Sequence, residues 1–292
     1  MLIDKVEGKT AATAWGPVVL YVVLAYGIAW MLWLPLVLGP SGLRVTRYDA
    51  YLPFFGSLGT VGPLIASFVA VRYETGRWAM PSRFFPARRL WSWVNLLTGP
   101  ALTIVAFVVI PYMICIAPGY KLISLGFVTP LSAVWPNMLG GPLEEEFGWR
   151  GYLLPRLASR MGNTWSTLVV GVIWASWNLP LFLYRGWTGA SFWYFLPQVM
   201  ALAVFASLAY FATGRSILGP ILVHYAFNTC STMLDKAFYH LPRYGNRDVD
   251  AIILICMVGI ALITIAVTRG RLGEGGWRFS GPRGRVEGGG AA

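Results

Sequence analysis

Charge is scarce in this chain. Only 12% of its 292 residues are Asp, Glu, Lys or Arg, about half the share found in soluble domains. The hydrophobic share is 57% and mean hydropathy is +0.60. That shortage excludes a water-soluble globule, and such apolarity excludes disorder. A bilayer is the solvent that tolerates apolar surface all round a helix. Acids are scarcer still, 12 against 23 Lys and Arg, for a net charge of +11. In so apolar a chain that surplus reads as loop bias or contact with anionic lipid, and nucleic acid is not an expected partner. The three cysteines, Cys115, Cys230 and Cys256, sit in apolar stretches without paired spacing. They exclude a disulfide framework or a cysteine metal site and read as reduced packing residues. There is no internal repeat and no soluble stretch longer than a loop.

What is abundant is uncharged sequence. A membrane-spanning helix needs about 20 largely apolar residues. Uncharged runs cover 11–43, 50–71, 90–120, 122–143, 161–184, 186–214, 216–234 and 251–268. The fold predicted is therefore all-α, a polytopic membrane bundle of about eight transmembrane helices. The first run is too long for a signal peptide and lacks a small-residue cleavage site, so it is expected in the mature protein. Residues 1–268 form one transmembrane domain on this reading. The Gly- and Arg-rich stretch 269–292 is expected to be a disordered tail that solubilises or touches lipid headgroups. Sixteen of the 23 Lys and Arg fall in the connections on the side of the termini. The positive-inside bias thus places both termini in the cytoplasm.

Ionisable groups inside spans cost a few kcal/mol or more and are functional candidates by default. Nine of the twelve acids lie in loops or termini, and the other three are Glu144, Glu145 and Glu146. The only histidines are His224, in the seventh run, and His240, in the loop after it. Pro142 is suited to begin a helix, and glutamates in a first turn suit the positive end of its dipole. Glu146 and Arg150 are four apart and can pair on one face. Glu145 is turned about 100° from Glu146, so it can face a cavity while its neighbour is held. A plain interfacial helix end would also explain the acids. Pro130 and Pro136, however, weaken a continuous helix and favour a break near 140–142, and broken helices at membrane depth line cavities. Asn178, and His224 with Asn228 one turn apart, add polar groups at mid-membrane depth. Either residue of that pair alone reads as an interhelical hydrogen bond worth about 1 kcal/mol. Together with the acids they point to a site.

These residues resemble the CPBP family of CAAX proteases and bacteriocin-processing enzymes, also known as the Abi or type II CAAX prenyl protease group. The first motif reads Glu145-Glu146-Phe147-Gly148-Trp149-Arg150, followed by Gly-Tyr-Leu-Leu-Pro-Arg-Leu. The second reads Trp174-x-x-x-Asn178-Leu179-Pro180, where the family has His in place of Asn178. The third reads His224-x-x-x-Asn228. The resemblance spans about 57–232 and includes the Val61-Gly62-Pro63-Leu64 run.

The resemblance implies an intramembrane endopeptidase acting on a membrane-associated peptide or protein tail, lipidated substrates included, in a bacterial plasma membrane. In that reaction Glu145 is the expected general base. A carboxylate withdrawn from bulk water suits a base working near neutrality. Glu146 with Arg150 would orient the helix, Asn178 would hold the water, and His224 and Asn228 would face the oxyanion. The family's second-motif His helps Glu activate water, whereas an amide cannot carry a proton at ordinary pH. Loss of such a group removes about 10²–10⁴-fold in rate. No cofactor is expected. A divalent metal, if one were bound, would fall to Glu145 and His224, but catalytic zinc wants three protein ligands, usually including His. Two other classes compete. A non-catalytic binding protein is favoured by Asn178. A proton-coupled transporter is suggested by buried Glu, His and Arg and opposed by the absence of a repeat.

Overall fold

The structure is a computed structural model, and it describes residues 15–47, 52–87, 90–116, 131–184, 190–237 and 247–274. Among these residues the chain is a polytopic bundle of helices without a named strand. Helix α1 is Gly16–Leu38, α2 is Leu52–Gly59 and α3 is Val61–Thr75. The third traverse is built from α4 (Leu90–Val94), a 3-10 turn (Asn95–Leu97), α5 (Thr98–Ile104), a π turn (Val105–Val109) and α6 (Ile110–Ile116). There follow α7 (Leu131–Leu139), α8 (Pro142–Gly148), a second π turn (Trp149–Leu153) and α9 (Leu154–Trp177). Last come α10 (Leu179–Tyr184), α11 (Ala190–Ala212), α12 (Leu218–Ala237) and α13 (Arg247–Val267).

Among the described residues six stretches are long and apolar enough to cross a membrane: 16–38, 54–75, 90–114, 135–184, 192–212 and 250–267. The sequence reading of eight differs in two places. Residues 135–184 count as one stretch of 50 residues, which as a straight helix would reach about 75 Å at 1.5 Å per residue. They instead fold back at Gly162, whose φ of 77° and ψ of 170° are not helical. The indole of Trp174 consequently reaches Glu145, and the ring of Trp177 meets that of Trp149. The second difference is α12, which carries His224, Asn228, Asp235 and Lys236 and is not among the six.

Small residues let the helices approach closely. The buried stripe of α1 runs Tyr21, Ala25, Ala29, Trp33. A Cβ on Gly62 of α3 would meet the Ala25 carbonyl at 2.8 Å and the Ala29 methyl at 3.0 Å. Such seams suit helices in lipid, where dispersion rather than water exclusion drives packing. Helix α11 is the central one, 78% buried, with Ala201 to Tyr210 enclosed by its neighbours. Both π turns lie just ahead of a proline, Pro111 and Pro155. Each proline leaves a carbonyl of the preceding turn without its usual N–H donor. The widened turn admits the extra residue, and such bulges are frequent at functional sites.

One end of the bundle is basic. Exposed Arg72, Arg77, Arg83, Arg215, Arg269 and Arg271 gather there. The loop 81–87 is laid over the α11–α12 turn by hydrogen bonds from Ser82 Oγ to the Arg215 carbonyl and from Ile217 N to the Arg83 carbonyl. Glu74 accepts from Tyr152 and Arg156, tying α3 to α9. The stretch expected as a disordered tail departs from that reading over its first residues. Asn163 Nδ2 donates to the Arg271 carbonyl, Thr164 Oγ1 to that of Gly270, and Glu274 pairs with Arg215. Residues 275–292 lie outside the described residues, as do His240 and the side chain of Cys115. Cys230 and Cys256 form no disulfide among the described residues.

Candidate active site

The three motifs converge from three elements. α7 ends and α8 begins at Gly140-Gly141-Pro142, with Gly141 at φ 139°. Pro142 opens α8 at a position whose missing N–H is no loss. Glu145, Glu146 and Arg150 are all buried. Arg150 Nη1 donates to both oxygens of Glu146, at 2.9 and 3.0 Å, with both side chains fully enclosed. An unpaired charge there would be expensive, so each holds the other. Glu146 Oε1 also lies 3.0 Å from His224 Nδ1. A carboxylate bound twice by a guanidinium accepts hydrogen bonds. Nδ1 therefore donates to it, and a neutral imidazole in that tautomer presents Nε2 as an acceptor.

Glu145 faces another way. Its Oε2 accepts from two indoles, Trp174 Nε1 at 2.6 Å and Trp149 Nε1 at 3.2 Å. Its Oε1 is aimed at Gly141. A Cβ placed on Gly141 would lie 2.8 Å from Glu145 Oε1, 3.2 Å from His224 Cε1 and 3.3 Å from His224 Nε2. Gly141 thus packs directly against a carboxylate oxygen and an imidazole nitrogen, and any side chain there would crowd both. The positive φ adds a second reason for glycine at that position.

The two amides are placed differently. Asn178 caps the end of α9, and its Nδ2 donates to the Trp174 carbonyl at 3.0 Å, within its own helix. Asn228 Nδ2 donates to the Asn137 carbonyl at 3.3 Å, fastening α12 to α7. With Nδ1 directed at Glu146, His224 would need to be an imidazolium to donate to an oxyanion.

Sequence reasoning passed over Trp149 and Trp174 as hydrogen-bond donors and Gly141 as the glycine on which Glu145 and His224 converge. Trp149 could have been found, because Glu145 and Trp149 are four apart on one face. Trp174 could not, since it meets Glu145 only through the α8–α9 hairpin. The donors do not make a zinc-type set. Among the described residues no three His, Cys, Asp or Glu side chains group together for a metal. Both oxygens of Glu146 are engaged by Arg150.

Residues 127–230, which carry all three motifs, match the family model described as type II CAAX prenyl endopeptidase Rce1-like. No curated protein matches the chain. That segment, about a third of the chain, is thus similar to the Rce1-like type II CAAX prenyl endopeptidases.

Proposed function

We propose that the protein is an intramembrane endopeptidase in which Glu145 activates water against a peptide bond. One observation carries this reading: Glu145 Oε1 and His224 Nε2 lie against the same glycine, Gly141, inside a helical membrane bundle. A water there gives one proton to Glu145 as its oxygen attacks the carbonyl carbon, and His224 Nε2 orients it through the other. The C–N bond then breaks and the proton held by Glu145 passes to the leaving amine. Glu146, held by Arg150, fixes the imidazole through Nδ1. Asn228 holds α12 against α7, and Asn178 stands near the second-motif position without carrying a proton. The mechanism uses no metal.

The substrate on this reading is a membrane-associated peptide or protein tail, lipidated or not, of the CAAX or bacteriocin-precursor kind. Both termini face the cytoplasm of a bacterial cell, with the basic end of the bundle on that side. The assay is cleavage in H2(18)O of farnesylated and unmodified peptides by the purified protein, with and without chelator. Incorporation of 18O into the new carboxyl group in both arms supports the reading. Loss of cleavage on chelation contradicts the metal-free step. A second reading rests on Asn178: with the family's His missing, the chain binds such peptides without cutting them. Saturable peptide binding with no 18O incorporation would favour it.

A further inference from the structure

We propose that Trp174 is a positioning residue for Glu145, setting the direction of the carboxylate through its indole N–H. The inference rests on the reaction proposed above. Glu145 Oε2 receives both indoles, and that leaves Oε1 directed at Gly141 and His224. The two donors are not equivalent. Trp149 lies one turn along the same helical run, so its contact follows from local geometry. Trp174 arrives from the other arm of the hairpin, and its 2.6 Å bond is the shorter of the two. It also touches the other members of the site. Its ring lies 4.4 Å from the Arg150 guanidinium carbon and 4.9 Å from the imidazole of His224, edge to face at 72°. Being 3% exposed, it meets no competing water.

Helix α1, which lies outside the matched segment 127–230, holds this ring in place. Tyr26 donates to the Ile173 carbonyl at 2.6 Å, and Trp30 Nε1 donates to the Trp177 carbonyl at 2.9 Å. Trp177 Nε1 in turn donates to the Ala25 carbonyl at 3.2 Å. The last carbonyls of a helix lack intrahelical donors. Trp30 supplies one to Trp177, three residues beyond Trp174, and Tyr26 braces the carbonyl just before it. Packing alone would be met by any ring of similar size. The N–H gives the position a requirement that Phe cannot meet.

The test uses the full-length protein in detergent. W174F keeps an aromatic ring and removes the donor. Its kcat is expected to fall about 10- to 100-fold, the weight of a hydrogen bond to a charged group, with KM little changed. W149F is expected to lose less. A readout independent of turnover is the indole N–H resonance of Trp174 in 15N-Trp-labelled protein, assigned by its loss in W174F. Release of its carboxylate partner in Glu145→Ala is expected to move that resonance upfield. An unmoved resonance overturns the inference even if the protein cleaves nothing. A moved resonance with native kcat in W174F overturns the positioning role. If W174F does not fold, the comparison of native protein with Glu145→Ala still decides, because two indole resonances should shift and none shifting is a contradiction.

Discussion

At the scale of single residues, the Glu146–Arg150 pair is a fully enclosed pair of opposite charges. Arg150 Nε and Nη2 have no hydrogen-bond partner among the described residues, so Glu146 is its chief compensation. Glu146→Ala strands a buried cation and is expected to cost about 3–5 kcal/mol of stability. Replacing both partners by apolar residues, Glu146→Leu with Arg150→Met, should recover much of it. Thermal unfolding in detergent checks this, and a Glu146→Ala protein melting like the native one would contradict it. Asn178 gives a gain-of-function prediction. Asn178→His restores a group able to move a proton beside the end of α9 and is expected to raise kcat/KM by up to about 10²-fold. An unchanged rate in peptide cleavage would remove position 178 from the proton path.

At the scale of elements, the site depends on how closely α8 approaches α1 and α3. A Cβ on Gly148 would meet the Tyr21 hydroxyl, the Pro63 ring and the Pro63 carbonyl. Gly148→Ala is therefore expected to destabilise by about 1–3 kcal/mol, the range for overpacking. Tyr21→Phe in the same chain should relieve part of it. Additive effects in that double-mutant cycle would contradict the contact. The break that starts α8 was legible in the sequence, because Gly140, Gly141 and Pro142 do not favour a continuous helix, whereas Pro136 is accommodated inside α7. The pairing of Glu146 with Arg150 was legible from their spacing. The indole contacts of Glu145 were not, since Trp174 is 29 residues away and meets it only through the turn at Gly162. Nor was the orientation of Asn178. An amide at a helix end can point along its own backbone as readily as across to a neighbour, and here it bonds to the Trp174 carbonyl.

At the scale of the whole molecule, hydropathy gave the bundle. The 50-residue stretch 135–184, in which the sequence reads parts of two uncharged runs, is divided by a glycine outside helical φ and ψ. The basic end is tied together by the segment after α13. Burial opposes ionisation of Glu274, but hydrogen bonds from Arg215 and Asn163, with the charge of Arg215, outweigh it and hold its pKa below the ordinary 4.5. A carboxyl depressed in the folded state stabilises above its unfolded value and loses that contribution as pH falls through its folded one. Amide exchange in 268–274 is accordingly expected to quicken in acid below about pH 4.5 and to stay slow at neutrality. Exchange independent of pH, after correction for intrinsic rates, would detach Glu274 from that closure.

The chemistry comes down to whether the buried carboxyl of Glu145 turns over peptide. The most direct measurement is the single-turnover cleavage rate of Glu145→Gln, which changes little but the basicity of one group, alongside a thermal melt of the same sample. The expected result is cleavage at background with a native-like melting temperature. Cleavage at the native rate by that folded variant would contradict the account.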